Sequence, residues 1–420
     1  MLYERWRRIA RERASELALC ELSSGRRWSF AELARAAETV RAREAPLVCP
    51  QGHSAEFIMA VLQAWRAGAV LCPLEPGQPA PSFSLPPPLC RHLKTTSATT
   101  GPARAVAFTE EQLAADAENI LTTMGLRPDR PNLGVISMAH SYGFSNLVLP
   151  LLLHGIPLIL VPSPLPEALR SAATGQPAIT LPAVPALWRA WHESGAIPPS
   201  VVLAISAGAP LSVSLERAVF ETSGLKIHTF YGSTECGGIA YDATDKPRSD
   251  DACVGSPMRN VKLDRNADGC VCVFSRAAGQ TYWPDPDGAL GEGCFQTGDL
   301  AEFRDGVIYL RGRLSDQINV AGRKIAPAGI ERVLAAHPAV TECLVFGVPS
   351  QHADRGETIV ACVVVREQIA AAQLKRFLLD KLPSWQVPRE WWFMNSLAAN
   401  RLGKVSRAEW RRRFLGRDHA

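Results

Sequence analysis

No two of the eleven cysteines in this 420-residue chain stand in a CxxC spacing, and only Cys270 and Cys272 are close neighbours. An odd number of thiols scattered from Cys20 to Cys362 argues against a disulfide framework or a zinc site and points to reduced thiols in a cytoplasmic protein. Long apolar runs are missing too. The opening MLYERWRRIARERASELAL has no apolar core ahead of a cleavage site, and NLVLPLLLHGIPLILVP is broken by Pro150, His154, Gly155 and Pro157. Neither export nor a transmembrane segment is expected. A strong excess of one charge is absent: the formal net charge is +4. Arginine-rich stretches such as ERWRRIARERASE and EWRRRF alternate with apolar residues at helical spacing, so they read as solvated helix faces and no nucleic-acid partner is expected. Internal repeats and low-complexity segments are also lacking. What is present is 47% hydrophobic and 20% charged residues, enough for a sizeable core and for two domains.

Helical patterns alternate with short β-rich runs. SFAELARAAETVRAR opens on a serine cap, and SAEFIMAVLQAWRAG repeats the pattern and stops at Gly68. AVLCPLEP, LGVISMA, PLILVP, AITLPA and VVLAISAGAP are compact apolar runs, separated by helical stretches such as VPALWRAWHESG. This predicts a layered α/β domain with a largely parallel sheet. From VKLDRNADGCVCVFS to GVIYLRGR the period changes to two, with Asp-Gly turns, which predicts a small β-rich subdomain. A compact α+β module and a basic tail follow. The expected division is a large domain over 1–313, a hinge at 314–316 and a small mobile domain over 317–420.

Five stretches carry candidate chemistry. KTTSATTGPARAV, from Lys94 to Val106, lacks the GxxxxGKS/T of a P-loop, and its composition suits either a polar linker or a phosphate loop ahead of the helical start TEEQLAADAENIL. TFYGSTECGG offers an aromatic face at Tyr231, hydroxyls, and a carboxylate at Glu235 suited to Mg²⁺. FQTGDLAEF sets Asp299 after a glycine turn, where an acidic side chain can accept hydrogen bonds from ribose hydroxyls. GRLSDQINVAGRKIAPAGIE and NRLGKVSR, with Lys404, complete the series. Each alone is unremarkable.

In this order the stretches resemble the motifs of the adenylate-forming (AMP-binding) superfamily, whose members include acyl- and aryl-CoA synthetases, adenylation domains of peptide synthetases, and luciferases. The likeness runs over nearly the whole chain, with AWRAGAVLCPLEP, HSYGF, SAGAPLS and GCVCV adding to it. It implies that the first stretch is a phosphate loop, with Thr96, Ser97, Thr99, Thr100 and Gly101 on the ATP phosphates and Arg104 beside them. Thr234 would touch the α-phosphate, with Gly232 and Ser233 in the same turn, and Glu235 would carry Mg²⁺. Ala207, Gly208, Ala209 and Tyr231 would frame adenine, Asp299 and Arg313 would bind ribose, and Lys404 would bridge the carboxylate and the α-phosphate. The small domain would turn about Ser315 so that a pantetheine thiol, of coenzyme A or an acyl carrier protein, can attack the adenylate.

The implied function is therefore an acid-thiol ligase: ATP-dependent activation of a carboxylic acid and transfer to coenzyme A. The alternatives are a stand-alone enzyme that loads a carrier protein and a silent nucleotide-binding relative. Departures from the family pattern are Ala98 where glycine is usual, Arg104 where lysine is usual and Ser315 where Asp or Lys is usual. The spacing from VLCPLEP to the phosphate loop is also short, so part of the N-terminal domain is expected to be trimmed. In the stretch 139–144, His140, Tyr142 and Gly143 would shape the acid pocket. It offers no carboxylate for a substrate ammonium, so an aryl or fatty acid without an amino group is expected.

Overall fold

The computed structural model describes residues 1–39, 46–81, 86–96, 104–350, 356–397 and 405–416. The apolar runs form the centre of a sheet that has fourteen strands among the described residues. Leu17–Glu21, Leu158–Leu160, Asn132–Gly134, Ile179–Ala183, Val201–Ser206 and Ile227–Ser233 lie side by side, each parallel to the next. Leu158–Leu160, Asn132–Gly134 and Ile179–Ala183 are buried along their whole length, as strands covered on both faces must be. Helices such as Pro185–Glu193 and Glu110–Met124 supply the cover. The latter begins with a reciprocal cap: the Thr109 amide donates to Gln112 Oε1 at 2.9 Å and the Gln112 amide donates to Thr109 Oγ1 at 3.4 Å.

The layered α/β class read from the sequence is the observed one, with two differences of arrangement. The β-rich stretch does not form a sheet of its own. Gly237–Tyr241 turns back antiparallel on Ile227–Ser233 and pairs with Cys253–Pro257, which pairs with Val307–Arg313, so the antiparallel strands extend the parallel sheet through a continuous ladder. The stretch from Lys94 to Val106 reads in the sequence as a linker or loop ahead of the helical start TEEQLAADAENIL. Instead it joins two antiparallel strands, His92–Thr95 and Ala105–Phe108, and the helix starts only after the second. The reason is local: the amide and hydroxyl of Thr96 both donate to the Arg104 carbonyl, at 2.9 and 3.0 Å, which closes the base of the loop, and all of Ala105–Phe108 is buried. These strands belong to a second, five-stranded sheet that also holds Thr281–Trp283, Val70–Leu71 and Leu47–Val48.

After the short 3₁₀ turn Leu314–Asp316, a three-stranded sheet is built from Val340–Pro349, Glu357–Val365 and Glu390–Met394. Alternation along the strands sends Val345, Ala361 and Val363 to a core with Ile330, Leu334 and Leu374, and sends Leu344, Phe346, Val360 and Cys362 to the opposite face against Trp410. Trp410 lies on the helix Arg407–Leu415, which occupies the stretch read as a basic tail. Arg407 at its start donates from Nη1 to Asp316 at 2.6 Å and from Nη2 to Glu331 at 2.5 Å. No disulfide forms among the described residues, which include all eleven cysteines, and no helix among them is long and apolar enough to cross a membrane.

Candidate functional site

Open parallel sheets bind ligands beyond the carboxyl ends of their strands, and Val201–Ser206 and Ile227–Ser233 deliver Ala207–Ala209 and Thr234–Glu235 there. Val201–Ser206 runs into Ala207, whose amide donates to the Ala183 carbonyl at 3.2 Å, and then into Gly208. Gly208 has φ +85°, a left-handed conformation that glycine tolerates, and Gly208 and Ala209 lie exposed beyond the carboxyl end of this central strand. Below them lies the HSYGF motif. The Tyr142 hydroxyl reaches the carbonyls of Ala183 and Ile205 at 3.4 and 3.5 Å, and its ring centroid is 5.8 Å from that of Phe230. Burial pushes the Tyr142 hydroxyl well above its usual range, with Tyr241 adding to the effect, so it stays a neutral donor. His140 caps the turn, its Nδ1 accepting from the Tyr142 amide at 3.3 Å. A Cβ on Gly143 would stand 1.9 Å from the Ser137 carbonyl oxygen, so only glycine lets the motif fold this tightly.

Ile227–Ser233 ends in a turn that carries Thr234 and Glu235 before the chain returns as Gly237–Tyr241. The Ser233 hydroxyl is used inside this turn, accepting from the Cys236 amide at 3.3 Å. A Cβ on Gly232 would come within 2.7 Å of the Gly237 carbonyl oxygen. One residue earlier, Tyr231 donates its hydroxyl to Asp299 Oδ2 at 2.6 Å. Asp299 stands opposite Arg313 in the ladder, and Arg313 Nε donates to its other oxygen at 3.0 Å. Burial, then Asp299, raises the Tyr231 hydroxyl well above its usual range and keeps it protonated. Tyr231 and the hairpin pair Asp299 and Arg313, which lies 68 residues further on, thus form one contiguous group.

Glu235 and Arg104 meet through a residue that sequence reasoning missed. Tyr282 donates its hydroxyl to Glu235 Oε1 at 3.0 Å, while the Arg104 guanidinium lies 4.1 Å from the centre of its ring. Arg104 also donates from Nη2 to Asp287 Oδ2 at 2.6 Å and to the Asp285 carbonyl at 3.0 Å. Tyr282 gets there because Thr281–Trp283 pairs with Ala105–Phe108, with Tyr282 opposite Val106. Nothing in the local sequence announces that long-range pairing. Asp116 is a buried carboxylate that helical spacing sets on the same face as Leu113, Ala117 and Ile120. Ser97, Ala98, Thr99, Thr100, Gly101 and Lys404 lie outside the described residues.

As to Mg²⁺, this cation is usually held by one or two carboxylates together with substrate phosphates. Glu235 fits that pattern, being partly exposed and directed by Tyr282 on one oxygen.

The family model for AMP-binding enzymes matches residues 93–270 and that for the C-terminal domain of AMP-binding enzymes matches 329–404, together more than half of the chain. A fatty acid–acyl-carrier-protein ligase of Streptomyces coeruleorubidus is 32% identical over 232 residues, covering 50% of this chain and 44% of the relative. A 2-succinylbenzoate–CoA ligase of Bacillus mycoides is 28% identical over 335 residues, covering 76% of this chain and 69% of the relative. The chain therefore spans less than half of the first relative and about two thirds of the second. The fold is shared with ATP-bound MatB from Rhodopseudomonas palustris, at a TM-score of 0.85 and 22% identity over 99% of both chains. By the two family models together, the chain belongs to the AMP-binding enzyme family, within the adenylate-forming superfamily.

Proposed function

We propose that this protein activates a carboxylic acid without an amino group, aryl or fatty, as its acyl-adenylate and transfers the acyl group to the pantetheine thiol of coenzyme A. The observation that carries this reading is the convergence of Tyr231, Asp299 and Arg313 beside the turn of Thr234 and Glu235, at the carboxyl ends of the parallel strands. Asp299 and Arg313 offer an acceptor and donors for the ribose, and the exposed strip Gly208–Ala209 and the Tyr231 ring offer flat surfaces for adenine. The acid enters below, against Tyr142 and Gly143, with its carboxylate toward Thr234.

A carboxylate oxygen then forms a bond to the α-phosphorus, the bond from that phosphorus to the β-bridging oxygen breaks, and pyrophosphate leaves. Catalysis of such a step is positioning and electrostatic stabilisation. Thr234 supplies a hydroxyl to the α-phosphate, and the loop from Thr96 to Gly101 receives the departing phosphates. Arg104 holds that loop's exit through Asp287 and Tyr282. Lys404 sets positive charge between the two reacting anions. Glu235 would hold Mg²⁺, which would supply charge neutralisation for the phosphates. In the second step the thiol sulfur bonds to the acyl carbon, AMP departs with the electron pair of the acyl–oxygen bond, and the thiol proton is lost to solvent. The domain that follows residues 314–316 turns about Ser315 between the two steps, withdrawing Lys404.

A second reading, loading of an acyl carrier protein, draws support from the relative at 32% identity, which bears that activity in its name. The two differ only in the carrier of the thiol. The deciding assay is pyrophosphate release with Mg·ATP across benzoic, hydroxybenzoic, cinnamic and fatty acids, with hydroxylamine trapping the adenylate. Acid-dependent release is expected. Silence across the panel, with ATP still bound, would instead identify a non-catalytic nucleotide-binding protein.

The Tyr282–Glu235 contact gives a finer expectation. A hydrogen bond to a charged acceptor contributes about 1.5–3 kcal/mol, so Tyr282→Phe should raise the Mg²⁺ concentration needed for half-maximal pyrophosphate release by about tenfold or more. A magnesium titration unchanged from wild type would show that Tyr282 does not orient Glu235.

A further inference from the structure

A lysine and an aspartate are buried together beneath this site, and neither belongs to the machinery described above. The side chains of Lys94 and Asp116 are 3% and 2% exposed, and Lys94 Nζ lies 3.5 Å from Asp116 Oδ2. Ser145 completes the group: its hydroxyl donates to Asp116 Oδ2 at 2.6 Å and accepts from Lys94 Nζ at 3.2 Å. The other carboxylate oxygen, Oδ1, accepts the Gly238 amide at 3.3 Å. Gly237 next to it has φ +68°, and a Cβ there would stand 2.0 Å from Asp116 Oδ1, so glycine is what allows the turn to close onto the carboxylate.

Each partner comes from a different part of the site. Lys94 is on the strand His92–Thr95, directly before Thr96. Ser145 follows Phe144 of the HSYGF motif, in the π-helical turn Phe144–Val148. Gly238 is the second residue of the strand Gly237–Tyr241, which leaves the turn of Thr234 and Glu235. One buried carboxylate therefore joins the segments that would meet the acid and the α-phosphate. Replacing a buried ion pair by apolar side chains is often neutral or stabilising, so stability alone is a poor reason to keep one, whereas fixing a register is a well-attested use. A close-packed interior transmits small shifts of this kind, and a displacement of about 1 Å far from the chemistry can cost about 10²-fold in rate.

We propose that Lys94, Asp116 and Ser145 are positioning residues that hold the acid-pocket motif in register with the turn of Thr234 and Glu235, so that the bound carboxylate faces the α-phosphorus. The proposal rests on the acid-activating reading given above. It predicts a split in kinetic parameters: alignment of the two substrates is lost while the ATP contacts of Tyr231, Asp299 and Arg313 remain.

The test uses the full chain with the acid that wild type turns over, comparing Ser145→Ala and the charge-free double variant Lys94→Met with Asp116→Asn. Both should lower kcat for pyrophosphate release by about tenfold or more while the KM for ATP stays within about threefold of wild type. Variants that melt at lower temperature yet keep wild-type kcat well below their melting point would show that the group only stabilises the fold, which overturns the proposal. If the double variant does not fold, Ser145→Ala decides by the same comparison. A wild type inactive across the acid panel overturns the acid-activating reading and this proposal with it; an active wild type matched by Ser145→Ala overturns this proposal alone.

Discussion

Lys404→Ala is expected to slow acid-dependent pyrophosphate release by about 10²–10³-fold, the usual cost of removing one preorganised group from a site of developing charge. The same variant should still convert a supplied acyl-adenylate and thiol into thioester at close to the wild-type rate. The asymmetry follows from the chemistry. In the first step two anions, a carboxylate and a phosphate, must approach each other, and a fixed cation between them offsets the repulsion. In the second step a thiol attacks a carbonyl carbon already activated by its bond to AMP, and that bridging charge has no part. Three residues on, Arg407 ties the start of the final helix to Asp316 beside Ser315, so the segment after Lys404 is anchored to the proposed hinge. Single-turnover measurements of the two steps separate the outcomes. Equal loss in both would remove Lys404 from its adenylation-specific role.

Asp299→Ala should lower kcat/KM for ATP by about 10²-fold, chiefly through KM. Two hydrogen bonds from ribose hydroxyls to a carboxylate, at about 1.5 kcal/mol each at the low end, account for that factor. The structure adds a second loss. Asp299 accepts from both Tyr231 and Arg313, at 2.6 and 3.0 Å, so its removal leaves the Tyr231 hydroxyl without this acceptor and frees the Arg313 guanidinium to move. Asp299→Asn keeps one acceptor oxygen and should fall between wild type and Asp299→Ala. Initial rates of pyrophosphate release at varied ATP, with acid saturating, check the order. An ATP KM unchanged in Asp299→Ala would place the ribose elsewhere.

Much of the arrangement was legible because it is written in local pattern. Continuous apolar runs bounded by Gly and Pro become buried parallel strands, and the helix Ala55–Ala67 stops at Gly68, with φ +67°, where the sequence pattern stops. Tyr231, Asp299 and Arg313 were each legible as single residues within motifs. Their hydrogen-bonded grouping was not, because the residues lie 68 and 14 positions apart and meet only through strand register. The β-rich stretch was legible as strands, yet its merging with the parallel sheet depends on Cys253–Pro257 pairing on both sides. Tyr282 carried no signal at all, since its role comes from pairing with Val106 more than a hundred residues earlier.

By itself, then, sequence determined the alternation of helices and strands, the motif order and with it the family, because these depend on near neighbours and on residue type. Only the tertiary structure decided that the loop after Thr96 returns as a strand, that Tyr282 reaches Glu235, and that Lys94, Asp116 and Ser145 share one buried group. A charge such as Lys94 reads as solvated in any local window. Burial and a partner are properties of the folded neighbourhood, set by contacts between segments whose spacing in the chain carries no information about their distance in space.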